Sequence, residues 1–152
     1  MDIAIVFAPK FSELANHFSA VEQQHDLYDT VLQNQAVSVS HGEWTFVCMP
    51  VDHCFEENFA RTLKKLSTGH NLYFFAVNDD AEGLWFEHYD NGELTRQWIE
   101  AEQQVAGNMG AYLPEEQHLG FPFVDESYED VGEEILYELI YEITDFDITE
   151  TF

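Results

Sequence analysis

After Arg96 the sequence contains no lysine or arginine, yet residues 97–152 carry fifteen of its thirty aspartates and glutamates. A stretch built this way has no local ion pairs to make. Any element in it must turn its carboxylates to water and bury its apolar residues on the other side. The segment from Asp125 to Ile143 meets that demand as an amphipathic helix. At 100° per residue, Val131, Ile135, Leu136, Leu139, Ile140 and Ile143 fall within one half-turn, with Tyr128 and Gly132 among them. Asp130, Glu133, Glu134 and Glu138 fall in the other half, together with Tyr137 and Tyr141.

The apolar half is ordinary core. The outer half is not, because Asp130, Glu134, Glu138 and Glu142 are successive i,i+4 neighbours of like sign. Each such pair costs about 0.2–0.5 kcal/mol, where a Glu–Lys pair would gain as much. Two tyrosines among the carboxylates point to a contact face for a basic protein, since Tyr is enriched at interfaces. The candidate partner-binding residues are therefore Asp125, Glu126, Glu129, Asp130, Glu133, Glu134, Tyr137, Glu138 and Tyr141, and the surface extends toward Glu115 and Glu116. A merely solvated face is the competing reading.

The remainder reads as a scaffold for this helix. Ile3–Ala8 is a continuous apolar run ended by Pro9, the pattern of a strand buried on both sides. Phe11, Leu14, Phe18 and Val21 recur at helical intervals and predict a helix over about 12–24, with a shorter one following within 26–35. Residues 36–49 read as a hairpin turning at His41-Gly42. Asp52 is placed to cap a helix over 53–66, with Phe55, Phe59, Leu63 and Leu66 as its stripe, Lys64 and Lys65 in its last turn and Gly69 beyond. Residues 72–99 form a meander, with Asn91-Gly92 as its sharpest turn because both positions tolerate positive φ. The chain then loosens through 103–116. The expected architecture is one α+β domain spanning 1–152. Its antiparallel sheet of five to six strands packs against helices at about 12–24, 53–66 and 128–143.

The full charge is −25, divided as −10 over residues 1–96, which hold all five bases, and −15 over 97–152. Such a surface repels nucleic acid and anionic membrane and attracts basic proteins or cations. Salt adaptation and solubility also favour acidity, but they would spread it evenly. No apolar run reaches the length of a membrane span, and Met1-Asp2-Ile3 has no basic leader, so cytoplasmic residence with Cys48 and Cys54 reduced is expected.

Motifs for chemistry are missing. His41, Cys48, His53 and Cys54 lack the paired spacing of a zinc site. Asp79–Gly83 and Asp145–Asp147 lack the calcium-loop alternation. Glu87, His88 and Asp90 have acid/base character but no accompanying nucleophile. The expectation is a protein without catalytic residues, metal or cofactor.

The run Leu84-Trp85-Phe86-Glu87-His88-Tyr89-Asp90-Asn91-Gly92-Glu93-Leu94-Thr95-Arg96-Gln97-Trp98, the segment Gly110–Glu116 and the ending Thr144–Ile148 resemble the small acidic immunity proteins of bacterial polymorphic toxin systems. The resemblance covers roughly the second half of the chain. It implies an antitoxin-like protein that masks the active site of a cognate, basic toxin domain without chemistry of its own. The alternative reading is a nucleic-acid mimic of the anti-restriction or anti-CRISPR type, with carboxylates imitating phosphates.

Overall fold

The computed structural model describes residues 1–79, 83–102, 104–120 and 133–152. In chain order the elements are β1 (Ile3–Pro9), α1 (Leu14–His17), β2 (Val21–Glu22), α2 (Leu27–Leu32), β3 (Val37–His41), β4 (Trp44–Pro50) and a 3-10 turn (Val51–Phe55). Next come α3 (Phe59–Leu66), β5 (Asn71–Asn78), β6 (Gly83–Asp90), β7 (Glu93–Ala101), β8 (Gln104–Gly110), α4 (Pro114–Leu119), α5 (Glu134–Thr144) and a second 3-10 turn (Ile148–Thr151). The strands form one sheet in the order β2-β3-β4-β1-β5-β6-β7-β8, antiparallel throughout except where β2 runs parallel to β3. The fold is α+β, with eight strands and five α-helices among the described residues.

β1 sits at the centre because it is apolar on both faces. Ile3, Ile5 and Phe7 point to one side, Ala4, Val6 and Ala8 to the other, and all six are buried. On the first side α2, α5 and the second 3-10 turn cover an aromatic row running across the strands. Phe7 stacks on Phe46 at 5.2 Å and on Tyr73 at 5.1 Å, and Phe75, Phe86 and Trp98 continue the row. On the second side α1 contributes Leu14, and α3 contributes Phe59, Leu63 and Leu66. A sheet covered on both faces explains why its inner strands read as unbroken apolar runs rather than alternating ones.

Several expectations need correction. The predicted helix over 12–24 is one turn long. Ser19 takes a left-handed φ of 51°, and Val21 leaves to pair with Val37, so the helical spacing of Phe11, Leu14 and Phe18 does not carry on. The predicted helix over 53–66 is split: Glu56 is extended, Phe55 is exposed, and the regular helix starts only at Phe59. Asp52 makes no cap there. The sheet has eight strands rather than five or six because β2 and β8 were not anticipated. β8 is an edge strand exposed on both faces apart from Gly107, so no burial pattern marks it. The Asn91-Gly92 turn has the expected positive φ values of 49° and 86°. Of the helix expected over 128–143, residues 128–132 lie outside the described residues.

The far end of the sheet is fastened by a buried charge pair. Arg96 on β7 and Glu116 on α4 are both wholly enclosed. The guanidinium donates through Nε and Nη2 to the two carboxylate oxygens, each at 2.8 Å. Its Nη1 donates to Asn108 Oδ1 and to the carbonyls of Gln97 and Met109. The ring of Tyr112 lies 4.6 Å away, and Glu116 also accepts from the Leu113 amide at 3.0 Å. Gly110 closes the same corner at φ 85°, where a Cβ would meet the Thr95 carbonyl oxygen at 2.0 Å.

A pair so thoroughly bonded offsets its desolvation, but half of it does not. Glu116→Gln is expected to cost about 3 kcal/mol in urea unfolding, because the guanidinium stays buried without its counter-charge. Replacing both residues by apolar ones, Arg96→Met with Glu116→Leu, should recover most of that loss.

Candidate interaction surface

α5 forms where Leu136, Leu139 and Ile140 bury against the aromatic row, with Ile135 and Ile143 half-buried beside them. It ends at Asp145, which takes φ 60° and donates its amide to the Tyr141 carbonyl at 2.7 Å. Thr144 Oγ1 bonds back to Ile140 O, and Phe146 then lies over His41 and Phe46, which returns the chain to the sheet. Asp147 accepts from the Thr149 amide and so starts the 3-10 turn. Asp145 and Asp147 thus serve as caps.

Of the candidate contact residues, Glu134 and Glu138 are exposed and Tyr141 is 49% exposed. Among the described residues, neither the Glu134 nor the Glu138 side chain has a hydrogen bond or an ion pair. Tyr137 turns toward the protein instead. Its ring lies 5.7 Å from that of Phe152, its hydroxyl donates to Met1 Sδ, and burial followed by the nearby Glu133 charge pushes its pKa upward. Glu133 is half-buried, 3.4 Å from the Met1 amino group, which also bonds Asp79. Asp125, Glu126, Glu129 and Asp130 lie outside the described residues.

Sequence reasoning missed the depth of this surface. A groove of about 490 Å³ runs over α5, lined by Glu134, Tyr137, Glu138, Tyr141 and Glu142. Leu119 of α4, with Asp147 and Thr149 after α5, completes it. α4 is held to α5 by His118 Nδ1, 2.8 Å from Glu142 Oε2. The signal for the groove was faint, since Pro114-Glu115-Glu116 opens a helix too short to show a period.

Charge is segregated across the sheet. Among the described residues the exposed lysines and arginines are Lys10, which leads into α1, and Arg61, Lys64 and Lys65 on α3. All belong to the second side, whereas the fifth base, Arg96, is consumed by Glu116. The layer of α2, α4, α5 and the second 3-10 turn presents acids with no lysine or arginine among its described residues, and its exposed His118 lies on Glu142.

The other polar residues do not converge. Glu87 accepts from Tyr89 Oη at 3.0 Å and Gln97 Nε2 at 2.6 Å on the second side of the sheet. His88, its neighbour on the strand, lies on the first side against the Tyr73 ring at 4.4 Å. Cys48 and Cys54 belong to opposite sides, and burial pushes each thiol up to about 12. Among the described residues no three His, Cys, Asp or Glu side chains are grouped to hold a metal ion. Nor is any described helix long and apolar enough to cross a membrane.

Comparison with protein-family models, with curated proteins and with solved structures finds no match for this chain.

Two outcomes follow from this geometry. Glu138→Lys turns two like-charge neighbours, Glu134 and Glu142, into i,i+4 attractions. It should raise stability by about 1 kcal/mol at low salt, with the gain shrinking as salt is added. His88 concerns pH. Burial lowers its pKa below the ordinary 6.5 more than Asp90 raises it. The unfolded chain therefore takes up this proton first, and His88 contributes stability above pH 6.5 that is lost as pH falls below it. His88→Phe should flatten the decline in the urea midpoint between pH 7 and pH 5.5.

Proposed function

We propose that this chain is an immunity (antitoxin-like) protein that binds a cognate basic toxin domain and masks its active site. The observation that carries this reading is the segregation of charge. The layer of α2, α4, α5 and the second 3-10 turn has no exposed lysine or arginine among its described residues, while every exposed lysine and arginine lies across the sheet. Self-repulsion within that layer opposes folding, and a basic partner would relieve it.

Complementary fields steer encounter and raise the association rate, while buried aromatic and apolar contacts hold the complex. Tyr141 on the exposed side of α5 and Leu119 beside it are the anchors available for the second role. Masking needs no reacting group.

The test is co-expression with the neighbouring gene, scored as rescue from toxicity. A neighbour that is harmless by itself sinks the proposal. With the purified pair, Glu134→Lys combined with Glu138→Lys should slow association about ten-fold at low salt, with a smaller change in dissociation. General competition by duplex DNA, rather than selectivity for one toxin, would instead mark a nucleic-acid mimic.

A further inference from the structure

We propose that the groove over α5 receives an arginine side chain of the partner, with the guanidinium lying on the Tyr141 ring and forked onto Glu138 and Glu134. This deepens the reading of the acidic layer as a docking face and rests on it. Glu134, Glu138 and Tyr141 stand at i, i+4 and i+7, so they form one stripe along the floor of the groove. Leu119 and Tyr137 add apolar wall, and the other carboxylates near them, Glu142 and Asp147, have partners already in His118 and Thr149. The groove is therefore an aromatic-walled hollow whose two uncommitted carboxylates, among the described residues, lie beside a half-exposed ring. Among the described residues no exposed lysine or arginine lies in that layer, and the exposed His118 is already engaged with Glu142.

Arginine fits this donor set better than lysine. A guanidinium is planar, so it stacks on an aromatic face and donates in parallel to a carboxylate, whereas an ammonium is a strongly hydrated point charge. The chain supplies its own example a short distance away. Arg96 lies 4.6 Å from the Tyr112 ring centre and holds both oxygens of Glu116 at 2.8 Å. The groove offers the same two residue types, tyrosine and glutamate. Its volume of about 490 Å³ leaves room for the stem of the side chain as well as its head.

The full chain is titrated calorimetrically at physiological salt with blocked hexa-arginine and, separately, blocked hexa-lysine. Hexa-arginine should bind about five- to ten-fold more tightly, the difference expected from stacking plus bidentate bonding. Tyr141→Ala should erase that preference and Tyr141→Phe should keep it, because the ring face is retained. Glu138→Gln should weaken both peptides. Tyr141 is half-exposed, so its variants remain folded, and thermal unfolding verifies this. Equal affinities for the two peptides, or a preference that survives Tyr141→Ala, would overturn the assignment of arginine to the groove. Absence of binding by either peptide would overturn it as well. The acidic-layer reading is scored separately, by rescue in co-expression, so it can stand while the groove assignment falls.

Discussion

Arg96 and Glu116 hold the second half of this molecule in register. Each is wholly buried, and either one alone would be an uncompensated charge in a medium that cannot solvate it. Together they satisfy one another at two points, and the guanidinium reaches on to Asn108 and the carbonyls of Gln97 and Met109. One side chain therefore ties the edge strand β8 to β7 and fastens α4 over the end of the sheet. Glu116 in turn accepts from the Leu113 amide and so sets where α4 begins. His118 of that helix meets Glu142 of α5. The groove wall formed by Leu119 thus depends on an ion pair made one turn earlier in the same helix.

Spending Arg96 in this way has an electrostatic consequence. With only five bases in the chain, burying one leaves four exposed, all on the side covered by α1 and α3. The opposite layer keeps its acids unbalanced. Glu134, Glu138 and Glu142 repel along one face of α5, and Asp145 and Asp147 add negative charge at the negative end of the helix dipole. What outweighs this is burial: Leu136, Leu139 and Ile140 belong to the same core cluster as Phe7, Phe46, Phe75 and Trp98. Core packing thus underlies a surface of like charges that oppose one another.

Much of the sheet was legible beforehand. Ile3–Ala8 declared itself a buried strand by being apolar at every position, and Asn91-Gly92 declared a tight turn because few other dipeptides accept two positive φ values. α5 was legible by period, and its exposed Glu134, Glu138 and Tyr141 followed from the same wheel. Helix lengths were not. Phe11, Leu14 and Phe18 kept helical spacing, yet Ser19 adopts a left-handed φ and Val21 finds a strand to pair with, an event decided by residues sixteen positions away. β8 left no trace because an edge strand exposed on both sides imposes no alternation. Tyr137 sat with the acids on the wheel but turns inward to Phe152, a residue the wheel does not contain.

Composition and local pattern alone determined that this chain has an α+β fold with an apolar central strand and a helix whose outer half is acidic. These follow from short-range rules, namely side-chain period, turn stereochemistry and the need of charge for water. The tertiary structure decided which base is buried, which side of the sheet the remaining bases occupy, and that α4, α5 and the following turn enclose a groove. Each of those depends on contacts between residues far apart in sequence, whose energies arise only when the layers pack. Arg96 shows the difference plainly: in the sequence it is the last of five cations, and in the fold it is the one removed from the surface.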